Sequence, residues 1–175
     1  EDGTSEPFYK VDHPHLQAPI LGWAKLQSIP FLALIPDWRS LSPWWHDDIR
    51  KLKRGKNFRG EPVPWDCKQP LAFWRGGLTE PVHRRRITTL SLEFPDFIDA
   101  GFNRPHASYE THLKYKYLPV LDGIMCTYPG YQWRLLSDAV ALKQESDQIQ
   151  WFYAALIPYV HYVPIKRDLS DLIDQ

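Results

Sequence analysis

Cysteine is scarce in this 175-residue chain: Cys67 and Cys126 stand alone, one in each half. That excludes a disulfide framework and a cysteine-based zinc site, and it favours a reduced compartment. Surplus charge is missing as well, since 21 Lys+Arg meet 21 Asp+Glu. Neither disorder nor general attraction to nucleic acid is expected, so an anionic partner has to be met locally. No apolar run reaches the roughly 18 residues needed to cross a bilayer, and Glu1 to Pro7 lacks the apolar centre of a leader, so the chain as given reads as soluble. The histidines His13, His15, His106 and His112 fall in isolated loop positions and His161 in an apolar run, so no metal site is expected. The absence of a Gly-x-Ser-x-Gly elbow removes support for nucleophilic hydrolysis.

Aromatic residues are plentiful: 8 Trp, 9 Tyr and 8 Phe exceed what a plain core of this size requires, and such rings offer stacking faces to bases and sugars. Residues 1–17 have no period and read as a tail. Ala18 to Ala24 and Phe31 to Ile35 are short apolar runs that suit buried strands, the second closed by Pro36 and Asp37. Ser42-Pro43 opens a helix over Trp44 to Lys53, with Asp47 and Asp48 early and Arg50, Lys51, Lys53 and Arg54 late. Gly55 to Pro70 is a linker or crossover loop.

Beyond it the pattern alternates. Leu71 to Trp74, Lys114 to Leu121, Ala139 to Lys143 and Val160 to Ile165 read as strands, and Phe97 to Ala100 as a brief strand or turn. Pro81 to Leu92, Tyr131 to Ser137, Gln148 to Leu156 and the start at Leu169 to Ile173 read as helices. The fold class is therefore α/β, a Rossmann-like parallel sheet of the kind that binds nucleotides at the carboxyl ends of its strands.

Phe73-Trp74-Arg75-Gly76-Gly77 delivers an arginine and two glycines to such a strand end. Arg75 there can grip an anion or form a strand-end salt bridge. The third glycine of a dinucleotide fingerprint and the Gly-Lys-Ser/Thr of a P-loop are both absent. Arg84-Arg85-Arg86 on the next helix point in different directions and read mainly as solvated or paired. Asp122-Gly123 ends another strand, where the carboxylate can take a sugar hydroxyl or cap the turn. The loop through Thr127 and Tyr128 leads to a helix carrying Arg134, and Lys143 with Glu145 closes the following strand at the same edge.

These segments resemble glycosyltransferase family 90, the group of protein O-glucosyltransferases and O-xylosyltransferases, capsule-associated proteins and lipopolysaccharide glycosyltransferases. The resemblance rests on Phe73-Trp74-Arg75-Gly76, Tyr115-Lys116-Tyr117-Leu118 with Leu121-Asp122-Gly123, Trp133 to Gln144, Trp151-Phe152-Tyr153 and Val160 to Leu172. It implies a GT-B fold, with residues 18–60 a remnant of the acceptor-side domain plus a linker helix and residues 61–175 the nucleotide-sugar domain. Thr127-Tyr128-Pro129-Gly130 through Trp133-Arg134 is closer in spelling to the lipopolysaccharide-type members. Departures fall at Leu32, where the animal enzymes carry their base, at Gly130, where they carry an arginine, and at Gln150, where they carry an acid.

The resemblance implies transfer of a sugar from a nucleotide donor, UDP-glucose or UDP-xylose, to a hydroxyl on a glycan, lipopolysaccharide or protein. No bound metal is needed. Arg75, Gly76, Gly77, Asp122, Gly123, Thr127, Tyr128, Arg134, Lys143 and Glu145 are then the donor-binding candidates, and Asp37 is the candidate base, ahead of Asp122. A catalytically silent nucleotide-sugar-binding or scaffold relative is the alternative. No nucleic-acid partner and no transmembrane segment are expected. The expected location is the cytoplasm of a bacterium, with the endoplasmic reticulum lumen as the alternative.

Overall fold

The computed structural model describes residues 20–78, 82–102, 107–123, 125–127 and 129–175; the expected tail lies outside the described residues. In chain order the first elements are strands β1 (Ile20–Gly22), β2 (Ala24–Leu26) and β3 (Leu32–Leu34), then helix α1 (Pro43–Leu52). β4 (Gln69–Gly76), α2 (Val82–Glu93), β5 (Ile98–Phe102) and the one-turn α3 (Tyr109–His112) follow. The remainder is β6 (Tyr115–Val120), α4 (Gly130–Arg134), β7 (Val140–Gln144), β8 (Gln148–Gln150) and β9 (Val163–Ile165).

Five strands make a wholly parallel sheet in the order β5-β4-β6-β7-β9. Both faces are covered, as parallel sheets require. Alternation along β4 sends Ala72 and Trp74 to one face, against Ile87 and Leu90 of α2 and Leu169 and Leu172 of the carboxyl-terminal segment. Phe73 goes to the other face, against Trp45 and Leu52 of α1 and Trp133 of α4. Each such ring or branched chain removed from water contributes about 1.5–3 kcal/mol. The expected α/β, Rossmann-like sheet is thus present. Its strand order reverses between β4 and β6, and in doubly wound sheets the ligand crevice lies outside the carboxyl ends at that reversal.

Several local expectations change. Gln148 to Leu156 was expected to be helical, but Gln148–Gln150 pairs antiparallel with Ala24–Leu26, and a turn at residues 151–152 leads into a 3-10 helix, Tyr153–Ala155. The unpaired amides of β2 win over helical spacing. Leu169 to Ile173 forms turns rather than a helix, with Leu169 at φ 60. Ser42 precedes α1 as expected, yet its hydroxyl donates to the Trp38 carbonyl instead of capping the helix amides. Asp47 and Asp48 pair along the surface with Arg50 and Lys51. His161 is exposed, its Nδ1 accepting from the Ile157 amide.

Lys68 joins the layers. It is 3 % exposed and donates from Nζ to the Leu113 carbonyl at 2.7 Å and to the Ser137 carbonyl at 3.1 Å. Those carbonyls end α3 and the turn after α4, where a cation suits unpaired acceptors. Burial lowers its pKa, and Asp138 partly restores it.

The two thiols differ in the same way. Cys67 is exposed, whereas burial pushes the Cys126 thiol from 9.0 up to about 12. Native protein should therefore show one thiol reactive to alkylation near neutral pH and two after unfolding. Because the folded state holds the Cys126 proton that the unfolded state releases, this contribution to stability is full below pH 9 and is lost as pH climbs towards 12. Urea unfolding at about pH 10 should show Cys126→Ala losing about 1 kcal/mol less than wild type, each measured against its own value at neutral pH.

Candidate functional site

The crevice at the β4/β6 reversal is organised by a residue of α2. Arg84 donates from Nε to the Asp122 carbonyl and from Nη1 to the Gly77 carbonyl, both at 2.9 Å. Its Nη2 reaches the Leu121 carbonyl at 3.5 Å, and its guanidinium lies 5.8 Å from the centre of the Trp74 ring. One fork thus spans the carboxyl ends of both strands. Burial lowers its pKa while the Asp122 charge opposes that shift. Gly123 makes the room: a Cβ there would sit 2.7 Å from Arg84 Nη2. At Gly76 a Cβ would collide with the Trp74 indole.

Asp122 is 4 % exposed and takes Lys143 Nζ at 3.3 Å and the Thr127 amide at 3.1 Å on Oδ1. The Thr127 hydroxyl donates to the Leu121 carbonyl at 2.6 Å. Lys143, 6 % exposed, also donates to the Gln144 carbonyl at 2.7 Å. Gln144 in turn accepts from the Asp122 amide at 3.4 Å and donates to the Arg167 carbonyl at 2.7 Å. Asp122 and Lys143 therefore neutralise one another behind the rim. Glu145, exposed, lines with Lys143, Tyr131 and Tyr153 a recess of about 260 Å³.

The other expected residues distribute as follows. Arg75 closes on β5, with Nη2 2.6 Å from Asp99 Oδ1, Nη1 donating to the Asp99 and Trp74 carbonyls, and the guanidinium 4.5 Å over Phe73. This is the strand-end salt bridge of the two readings. Arg134 is 6 % exposed, donates to the Gly130 carbonyl at 2.9 Å and lies 4.4 Å over Trp133; burial lowers its pKa to about 10. Arg75 and Arg134 share one face of the sheet, linked through Phe73, His112 and Trp133. Tyr128 lies outside the described residues.

Asp37 is 1 % exposed and accepts from the Ser40 amide at 2.8 Å, the Ser40 hydroxyl at 2.7 Å and Gln132 Nε2 at 3.1 Å. So engaged, it holds the turn after β3 against α4, the geometry of a structural carboxylate rather than of a base facing an acceptor. A larger cleft of about 760 Å³, walled by Trp45, Leu136, Phe152 and Tyr162, is lined by none of the expected donor residues. Among the described residues no group of three or more His, Cys, Asp or Glu could hold a metal ion.

Arg84 is the residue that sequence reasoning passed over. A signal for it existed: Ile87, fully buried, and Leu90 set the inner face of α2, and counting back three places from Ile87 reaches Arg84, leaving Arg85 and Arg86 outside. That puts Arg84 in the first turn, beside the strand ends.

A doubly wound α/β layer with a guanidinium fixed at its reversal point defines the class as Rossmann-like α/β. Residues 9–175 match the family model for glycosyl transferase family 90, and the chain belongs to that family. It is similar to protein O-glucosyltransferase 3 of Mus musculus, 36% identical over 125 residues, which cover 63% of this chain and 24% of the relative. Protein O-glucosyltransferase 1 of Rattus norvegicus is 30% identical over 62% of this chain and 31% of its own length. Protein O-glucosyltransferase 2 of Danio rerio is 29% identical over 63% and 25%. The chain thus spans about a quarter to a third of the curated relatives it matches. The expectation of a bacterial, cytoplasmic protein is overturned, since these relatives are animal protein O-glucosyltransferases.

If Asp122 and Lys143 are each other's main partner, Asp122→Ala should cost about 3–5 kcal/mol by leaving a buried ammonium alone. Adding Lys143→Met should recover more than half of that loss in urea unfolding, a coupling that independent sites would not show.

Proposed function

We propose that the chain carries the donor-binding part of a glycosyltransferase that moves a hexose from a UDP-sugar to a hydroxyl of a protein, in the lumen of the endoplasmic reticulum. The observation that carries the reading is Arg84, set between the carboxyl ends of β4 and β6 and cradled by Gly77, Asp122 and Gly123. A developing diphosphate leaving group needs preorganised positive charge and close backbone approach. A guanidinium fixed at the reversal point supplies the first, and the bare Gly123 backbone against which it lies supplies the second. Similarity to protein O-glucosyltransferases supports a hexose as the transferred sugar and a protein as the acceptor.

In this mechanism Arg84 stabilises charge on the departing diphosphate. Lys143 holds Asp122 in place, and Asp122 with Gln144 holds the turn against which the nucleotide rests. The chemistry runs on these protein charges without a bound metal, within a cleft of GT-B type. A second reading, a relative that binds the donor without turnover, is favoured by one observation: Asp37 is buried, with both of its oxygens accepting hydrogen bonds from Ser40 and Gln132.

Calorimetric titration should show UDP binding to wild type and at least tenfold weaker binding to Arg84→Met and Gly123→Ala, with Arg75→Ala affected less. Folded wild-type protein that does not bind UDP would sink both readings. Transfer or hydrolysis of UDP-glucose, unchanged by a chelator, separates the active protein from the silent one.

A further inference from the structure

Two guanidinium groups flank the Tyr109–Trp133 ring pair, and among the described residues neither has an acidic partner. Arg39 reaches the Tyr109 hydroxyl with Nη1 at 3.5 Å. Its guanidinium sits 5.4, 5.2 and 5.6 Å from the ring centres of Trp38, Trp44 and Trp45. Arg134 approaches the same residue through an indole, its guanidinium lying 4.4 Å over the Trp133 ring. Tyr109 itself packs at 5.3 Å against Trp133, the ring that Arg134 covers.

Among the described residues neither arginine forms an ion pair, and the Nε of each is buried with no hydrogen-bond partner. A buried cation without a counter-charge is costly, and native proteins retain such groups where something else is gained. Burial lowers the Arg134 pKa only to about 10, so its guanidinium remains charged at neutral pH. Bonds between Asp37 and both Ser40 and Gln132 fix the segment bearing Arg39 against the helix bearing Arg134. A Cβ on Gly130 would collide with the Arg134 guanidinium, so the sequence leaves the space this group occupies. Arg39 is the partly exposed end of the pair, with Trp38 and Trp44 about half exposed beside it.

We propose that Arg39 and Arg134, on either side of the packed Tyr109 and Trp133 rings, form an anion site for a phosphoryl or diphosphate group. Tyr109, 38% exposed, is its outer wall, and the group enters from the Arg39 side. The planar forks suit a polyanion, which accepts charge-assisted N–H bonds from both at once. The diphosphate of the nucleotide donor and a separate phosphorylated molecule present the same chemistry. The site stands on its own observations and does not depend on the donor reading of the Arg84 crevice.

Calorimetry with inorganic pyrophosphate, UDP and uridine on wild type, Arg39→Met, Arg134→Met and Arg84→Met tests it, with thermal unfolding recorded without ligand. Arg39→Met and Arg134→Met should each weaken pyrophosphate binding at least tenfold and leave uridine unchanged. Arg134→Met without ligand should melt at or above wild type, because an uncompensated buried charge has gone. If UDP weakens together with pyrophosphate in these variants, the donor's diphosphate is the occupant. If UDP depends on Arg84 alone, the occupant is a separate phosphorylated molecule. Pyrophosphate that fails to bind wild type, or binds both variants as it binds wild type, overturns the site, and in the second case UDP binding lost only in Arg84→Met leaves the donor reading standing. A wild type that binds pyrophosphate through Arg39 and Arg134 but ignores UDP sinks the donor reading instead. Should Arg134→Met not fold, the surface variant Arg39→Met decides by itself.

Discussion

Asp122 is the point on which the carboxyl edge of the sheet depends. Its carboxylate neutralises Lys143 and takes the Thr127 amide, its carbonyl takes Arg84, and its amide reaches Gln144. A single residue at the end of β6 therefore ties together α2, β7 and the loop before α4, and through Gln144 the backbone at Arg167. In a site nearly closed to water such bonds are strong when all are made and expensive when one is missing. The crevice is a consequence of this knot: with Asp122 and Gly123 fixed, Arg84 has one place to go.

Charge inside this protein is handled in two ways. Lys68 and Lys143 are buried with their donors spent on carbonyls or a carboxylate, and they act as joints between layers. Arg39 and Arg134 are held by aromatic faces and leave donors unused. The first arrangement builds a fold, and the second keeps binding capacity in reserve at a cost in stability. The abundance of tryptophan makes the second possible, because an indole face can seat a guanidinium without neutralising it.

Much of the architecture was legible because parallel strands buried on both faces leave continuous apolar runs, and Leu71 to Trp74, Lys114 to Leu121 and Ala139 to Lys143 each kept theirs. Gln148 to Leu156 was misread as helix because the decisive fact, pairing with Ala24–Leu26, lies more than a hundred residues away in the chain. The turn-forming end at Leu169 buries Leu169 and Leu172 on the sheet, and their spacing of three suits a helix and a chain of turns alike. At the site, Asp122, Gly123, Thr127 and Lys143 were legible from strand ends and glycine, and the structure joins them. Arg84 was hidden among three arginines until the buried side of α2 was known.

The sequence alone determined the class of layer, the strand ends at Gly76 and Asp122, and the family, because these rest on local pattern and on runs of residues that need no partner to be recognised. Only the tertiary structure decided which charge meets which. Arg75 turned to Asp99 and Lys143 to Asp122, Asp37 was closed in by Ser40 and Gln132, and Arg39 and Arg134 were brought to the packed pair Tyr109 and Trp133. Pairing of that kind is set by the reversal of strand order between β4 and β6 and by the packing of α1 and α4 on one face. Both are long-range consequences of burying apolar surface, and no local spacing encodes them.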